Sequence, residues 1–269
     1  MNYQQYQPSE RLSPFVKYLW TLESSSDDAP HSRERVFPDG CIELLFHYGD
    51  LFTKFDENGT QILQPRNFIH GQIRNFIELE ATGKVGMLSV RFLAAGLHPF
   101  VDFDVDTITS KILSVSEAWP DGASLEQKIA DCTDNSQRIA IVEEFLVSKL
   151  DLEKYDKTVA DCVQTISDAG GNISIETLGE KFHVSPRHLE RRFLKAVGLS
   201  QKVFSRIVRF NQALSLIEQK DFSTFSNVAY DGGFYDQAHF IRDFKDLTGL
   251  NPKQYFSENL EMVKFFNLG

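Results

Sequence analysis

Cysteine, long apolar runs and positive charge are all in short supply in this chain, and each shortage excludes something. The three cysteines, Cys41, Cys132 and Cys162, are odd in number and far apart. They read as thiols of a reducing compartment and not as a disulfide framework. No apolar run approaches the roughly 20 residues that span a bilayer. The opening MNYQQYQPSERLS lacks the apolar core of a secretory signal, so a cytoplasmic location with no membrane partner is the expectation. The motifs GxSxG, HExxH, GxGxxG and the P-loop are absent as well. Asp39 and Glu43 flank Cys41, but Pro38-Asp39-Gly40 reads as turn chemistry and not as a catalytic pair. His31, His47, His70 and His98 never form a His-X-His pair followed by Glu, and they read as ordinary surface or core histidines. No catalytic residue, metal or cofactor is expected.

The net charge of −10 argues at first against a nucleic-acid partner. Its distribution reverses that argument. Residues 1–154 hold 14 lysines and arginines against 24 acids, whereas residues 155–269 hold 14 of each. Between Ser185 and Phe210 the chain sets Arg187, Arg191, Arg192, Lys195, Lys202, Arg206 and Arg209 against one acid, Glu190. Phosphate responds to a local basic face and not to the global balance.

What is abundant is phenylalanine, at 23 residues, and the chain is long enough for two domains. Residues 1–92 read mostly as strand. WTLES, RVFPDGCIELLFHYG, LFTKF, NFIHGQI, FIELEA and GMLSVRF are short β-branched and aromatic segments separated by turn signals. Such spacing suggests a barrel or sandwich. A short helix is expected at Ser13–Tyr18, with Ser13 as cap and Pro14 at its first position. From Thr107 the periodicity turns helical. Ile108, Ile112 and Leu113 form one stripe, Leu125 and Ile129 another, and Ile139, Val142, Leu146 and Leu150 a third. These helices either cover the open end of the β unit or pair with a second subunit in a homodimer. Lys157–Ser167 predicts a further helix that ends at Asp168-Ala169-Gly170-Gly171.

The strongest signal is a repeat. HLERRFLKAVGLSQKVF, from His188, matches HFIRDFKDLTGLNPKQYF, from His239, at a spacing of 51 residues. His188, Arg191, Phe193, Gly198, Leu199 and Lys202 meet His239, Arg242, Phe244, Gly249, Leu250 and Lys253. Each copy reads as helix, tight turn, helix. In the first, Ile175–Phe182 leads through His183-Val184 to a helix capped by Ser185, with Pro186 at its first position. In the second, Phe225–Asp231 leads through Gly232-Gly233-Phe234-Tyr235 to a helix capped by Asp236. Leu189, Phe193 and Val197 point inward, as do Phe240, Phe244 and Leu247. Arg187, Glu190 and Arg191 point outward in the first copy, and Gln237, Ala238, Ile241 and Arg242 in the second. A helix of this kind fits a major groove about 12 Å wide, where arginine suits guanine and glutamine suits adenine. His188 and His239 read as packing residues. Between the copies, Val203–Gln219 carries Ile207, Phe210, Ala213, Leu214 and Ile217 as one stripe, a linker that ties both copies into one body.

SPRHLERRFLKAVGLS and GGFYDQAHFIRDFKDLTGLNPKQYF, with Arg209 and Ala213 between them, resemble the AraC/XylS family of bacterial regulators over about Asp156–Phe256. The resemblance implies an α+β chain with three parts. Residues 1–154 would be a β-rich, cupin-like sensing or dimerisation domain with a helical tail. Residues 155–258 would be an all-α DNA-binding domain of about seven helices with two helix-turn-helix units, and 259–269 a tail. VFPDGCIELLF is the most recognisable piece of the acidic N-terminal module. Carried over by position, Arg187, Glu190, Arg191, Gln237, Ala238, Ile241 and Arg242 would read bases. Ser185, Lys195, Lys202, Arg206, Arg209, Lys245 and Lys253 are expected to meet phosphates. The implied partners are double-stranded promoter DNA, RNA polymerase and a small-molecule effector in the barrel, with activation as the default. Gly179 stands where the family usually has alanine, a change expected to loosen the first unit. Two other readings stay open here. One is a cupin-type enzyme or metal-binding domain fused to a DNA-binding module. The other is an N-terminal part that only dimerises.

Overall fold

The computed structural model describes residues 1–24, 33–56, 59–218 and 225–257. His31, Gln219 and the 259–269 tail lie outside the described residues.

Among the described residues, ten strands build two antiparallel sheets. They are β1 (Asn2–Tyr6), β2 (Val16–Glu23), β3 (Glu34–Val36), β4 (Ile42–His47), β5 (Phe52–Phe55), β6 (Gln61–Leu63), β7 (Asn67–His70), β8 (Ile77–Ala81), β9 (Gly86–Phe92) and β10 (Ile112–Ser114). The larger sheet runs β1-β2-β9-β4-β7-β10 and the smaller β3-β8-β5-β6. The register aligns Tyr18 with Arg91, Arg91 with Glu43 and Glu43 with His70. Period-two alternation puts side chains in one such row on one face, here the face turned to the smaller sheet.

Two expectations fail in this half. Ser13–Tyr18 is not a helix. Residues 10–15 make turns, the Ser13 hydroxyl donates to Glu10 O at 3.0 Å, and Val16 already opens β2. The stripe of Ile108, Ile112 and Leu113 is not helical either. A 3-10 turn at Val105–Ile108 is followed by β10, which pairs with β7. Three apolar residues at spacings of four and one fit both periods, and the free edge of β7 decided between them. The later stripes are helices: α1 (Val115–Ala118), α2 (Gly122–Asp131) and α3 (Asn135–Lys149). Leu125, Ile129, Val142 and Leu146 are buried in one cluster with Ile42, Leu44, Leu88 and Val90 of the larger sheet. These helices therefore cover the back of that sheet.

The second half is all helix: α4 (Lys157–Asp168), α5 (Ile175–Phe182), α6 (Pro186–Val197), α7 (Gln201–Glu218), α8 (Phe225–Asp231), α9 (Gln237–Thr248) and α10 (Pro252–Ser257). Caps set the boundaries. Asp156 accepts from Val159 N at 3.0 Å, Ser174 from Thr177 N at 3.0 Å and Asp236 from His239 N at 2.7 Å. Gly198 and Gly249 end α6 and α9 with φ of 82° and 73°, a left-handed stop that favours glycine. Ser185 occupies the N-cap of α6, but its side chain makes no capping hydrogen bond.

One cluster fills this half. The α7 stripe of Ile207, Phe210, Ala213, Leu214 and Ile217 is buried together with Leu178, Leu189 and Phe193 of the first copy and Val228, Phe240 and Phe244 of the second. Phe37, from the loop between β3 and β4, enters the same cluster and is fully buried. Its ring meets Phe210 edge-on at 6.2 Å and Tyr255 at 6.0 Å.

Phe37→Ala is expected to cost about 3–5 kcal/mol in chemical denaturation, as for other buried phenylalanines. Amide protection should fall in α7 and α9; protection lost only in β3 and β4 would refute this placement. A second expectation concerns pH. Burial pulls the pKa of both His47 and His70 down to about 4, with the Lys54 cation adding to the effect at His70. Their neutral forms belong to the fold, so stability is full above the unfolded value of about 6.5 and falls as pH drops toward the folded value. His47→Leu should therefore lose about 2 kcal/mol less than the parent between pH 7 and pH 5 in urea titrations.

Candidate nucleic-acid interface

The outward faces of α6 and α9 come from their own periodicity. Leu189, Phe193 and Val197 are buried on one side of α6, which leaves Arg187, Glu190 and Arg191 exposed on the other. The same geometry in α9 buries Phe240, Phe244 and Leu247 and exposes Gln237, Ala238 and Arg242. Ile241 departs from the expectation. It is half-buried and packs against the helical core, which leaves only part of its side chain turned outward. Arg191 also faces His188, with Nη2 3.1 Å from Nδ1. His188 is exposed, so its packing role is not found, whereas His239 packs edge-on against Phe234 at 5.6 Å. The turn lies close against Gly179. A β-carbon there would sit 3.0 Å from Val184 O and 3.3 Å from the Pro186 ring, tighter than an ordinary contact.

The basic stretch from Ser185 to Phe210 divides in two. Lys202 is exposed and, among the described residues, has no acid partner. Arg187 and Arg191 are exposed as well, whereas Arg192, Lys195, Arg206 and Arg209 are engaged. Arg192 makes a two-pronged pair with the Asp156 carboxylate at 2.7 and 2.6 Å. Arg206 pairs with Asp243 at 2.9 Å and Asp246 at 2.7 Å, joining α7 to α9. Arg209 donates from Nη1 to Gly171 O at 2.6 Å, and burial lowers its pKa from the ordinary arginine value. Lys195 pairs with Asp104 of the N-terminal half at 2.9 Å. Arg206 and Arg209 are thus internal ties and Lys195 bridges the two halves, where phosphate contacts were expected. The sequence shows cations but not their acids, which lie 36 or more residues away. Ser185, Lys245 and Lys253 are exposed, as that role requires.

Contacts between the halves gather at the ends of α6 and α9. Thr109 Oγ1 donates to Gly198 O at 2.6 Å, where α6 stops. Gly249, where α9 stops, lies so close to the Phe76 ring that a β-carbon would collide with it. The Arg35 guanidinium stacks over that ring at 5.1 Å. Asn211 donates to Pro38 O at 3.3 Å, and Gly40 packs on the Phe204 ring, where a β-carbon would come within 2.7 Å. None of Phe37, Phe76, Asp104 or Thr109 was flagged by the sequence. Their importance comes from the partner they meet, and Phe37 read simply as part of a strand-turn.

Between the two sheets lies a cavity of about 50 Å³, smaller than most small-molecule sites. Leu45, Phe52, Phe68, Ile77, Leu79 and Met87 form its apolar wall. At one end Arg91 bridges Glu43, at 2.7 Å, and Asp39. Burial pushes the Glu43 carboxyl up to about 7, with the Ser89 hydroxyl at 2.9 Å acting against it. Asp39 and Cys41 also line a cleft between the halves, whose far wall includes Tyr155, Gln164 and Phe204. The β3–β4 loop therefore has one side on the cavity and the other, through Phe37, in the helical core. Among the described residues no three His, Cys, Asp or Glu side chains gather into a metal-ligating group, and no helix is long and apolar enough to cross a membrane.

Comparison with known proteins adds to this geometry. Residues 4–114 match a family described as a domain of unknown function (DUF6597), and residues 178–258 match a helix-turn-helix domain family. The arabinose operon regulatory protein of Salmonella typhimurium is 29% identical over 121 residues, 44% of this chain and 41% of that protein. An uncharacterized HTH-type transcriptional regulator of Staphylococcus aureus is 31% identical over 84 residues, 31% of this chain and 11% of that protein. The chain thus spans about two fifths, or much less, of the curated relatives it matches. Among solved structures, ToxT from Vibrio cholerae aligns over 96% of this chain and 98% of its own, at 12% identity and a TM-score of 0.49. Over residues 178–258 the chain carries a helix-turn-helix domain.

Proposed function

We propose that the chain is a sequence-specific, DNA-binding transcription regulator whose α6 and α9 enter successive major-groove segments of promoter DNA. The observation that carries this reading is the doubled unit. Two copies of one helix-turn-helix share a single core and each keeps a polar face in solvent. At about 34 Å per DNA turn, a rigid pair of such helices suits one side of a duplex. In this reading Arg187, Glu190, Arg191, Gln237, Ala238 and Arg242 meet base edges, with Ile241 a lesser apolar contact. Ser185, Lys202, Lys245 and Lys253 meet phosphates. Residues 1–154 serve as the sensing unit and 155–258 as the DNA-binding unit. The regulators among its relatives favour this reading over an enzyme, and recruitment of RNA polymerase is the default mode of action.

The sensing step runs through the β3–β4 loop. A small-molecule effector meets Asp39, Glu43 and Arg91 once the cavity widens to admit it, and the shift of that loop moves Phe37 against α7 and α10. Asp104 holds Lys195 at the same time, so the acidic half competes with DNA for one cation of the basic stretch. An effector changes DNA binding only to the extent that it favours one of the two arrangements of this junction.

Selection of duplexes from a random pool by the full chain tests the reading. A set of sequences with no common motif would sink it. On a selected duplex, Arg191→Ala should cost about 1–3 kcal/mol and relax preference at one base pair. Lys202→Ala should weaken all sequences alike and lower the slope of log affinity against log salt by about 1. Arg209→Ala should instead lower the melting temperature, because it removes the donor held by Gly171 O. An unchanged melting temperature with a lowered salt slope would return Arg209 to the phosphate set.

A further inference from the structure

The two units are not quite equal, and the difference falls on one residue. In the first, Val184 N donates to Gly179 O at 3.0 Å after a left-handed His183 with φ of 52°. In the second, Phe234 N donates to Ala229 O at 2.8 Å after a left-handed Gly233 with φ of 73°. These closures match at a spacing of 50 residues. The reading helices match at 51. Leu189 N donates to Ser185 O at 2.9 Å, as Phe240 N does to Asp236 O at 3.1 Å. The second turn therefore holds one additional residue, between Phe234 and Asp236, and that residue is Tyr235. At 93% exposure it is the most exposed large apolar side chain among the described residues.

Both neighbours of Tyr235 are fixed. Phe234 is buried, edge-on to Phe240 at 5.3 Å, and Asp236 caps α9 through His239 N. The ring is thus held outward at the entrance of α9 by a backbone pinned on each side. A side chain with only two χ angles loses little entropy on contact from such a position. The charges nearby make the need specific. The first turn of α9 has no acid and no lysine or arginine, while Asp231 and Asp236 lie just before it. In the first unit the equivalent N-cap, Ser185, keeps a hydroxyl that is not used for capping. In the second, Asp236 spends its oxygen on the cap and as an anion repels phosphate.

On the reading that α9 enters a major groove, we propose that Tyr235 is the phosphate-binding donor of the second unit. Its hydroxyl donates to one phosphate oxygen at the groove edge and its ring rests on the adjoining sugar. It thereby takes the part that the Ser185 hydroxyl plays in the first unit. Tyrosine hydroxyls are among the donors that fix register on the sugar-phosphate backbone without reading sequence.

The test uses the full chain and the duplex it selects from a random pool, compared across the parent, Tyr235→Phe and Tyr235→Ala. Ethylating phosphates one at a time should reveal a position beside the second half-site that blocks the parent and is indifferent for Tyr235→Phe. Tyr235→Phe should weaken binding about 3- to 10-fold, and Tyr235→Ala about 5- to 30-fold, as expected for loss of one solvent-exposed hydrogen bond and then of the ring contact. Both variants should select the same motif and melt within about 2 °C of the parent, because the residue is on the surface. Ethylation patterns identical to the parent's would overturn the proposal. So would a changed motif in Tyr235→Ala or a lowered melting temperature. A parent that selects no motif at all would overturn the regulator reading itself, whereas a parent that selects one while both variants bind as it does would overturn only the role of Tyr235.

Discussion

The apolar stripe of α7 is the constraint on which the rest of the molecule depends. Ile207, Phe210, Ala213, Leu214 and Ile217 are buried against both helix-turn-helix units at once. Removing such side chains from water contributes about 1.5–3 kcal/mol each, and none of that gain is available to either unit alone. Because each unit turns its apolar face to α7, each must turn its polar face to solvent. The two outward faces are thus a consequence of one shared core, and ion pairs from Arg206 to Asp243 and Asp246 hold α7 to α9 from the side.

The same core explains how a chain with ten excess negative charges can carry a cationic surface. Much of the basic stretch is consumed internally. Arg192, Arg206 and Arg209 meet Asp156, Asp243 with Asp246, and a backbone carbonyl. Such partly buried ties are costly to break from one side, since a charge is then left without its partner. The cations left facing outward, Arg187, Arg191 and Lys202 in the first unit and Arg242, Lys245 and Lys253 in the second, are those that the helix period places away from α7. Lys195 stands between these groups, because its partner Asp104 belongs to the other half of the chain.

The N-terminal half is attached at the points where the repeat is most alike. Thr109 meets Gly198 at the end of α6, and Phe76 meets Gly249 at the end of α9. Phe37 enters the core between them, from a loop whose other side faces the cavity. A change at that loop therefore reaches α7 through packed rings. Close-packed cores transmit such displacements because they have little free volume to absorb them.

Periodicity and repetition alone made much of the helical half legible: α5, α6, α8 and α9, the glycine stops, the inward and outward faces, and the linking stripe. These are local properties, set by a 3.6-residue period and by the φ preferences of glycine. The strand segments were legible from β-branched and aromatic residues between turn signals. Tertiary structure decided whatever depended on a distant partner. β10 formed because β7 had a free edge, the Ser13 segment became a turn because β2 began at Val16, and Arg206 and Arg209 became internal because Asp243 and Gly171 came within reach. Phe37 shows the division most plainly: its sequence neighbours make it a strand-end aromatic, and only the approach of Phe210 and Tyr255, more than 170 residues away, puts it in the other domain's core. Hydrophobic burial has no direction of its own, so a sequence states which side chains must leave water but not whose company they will find.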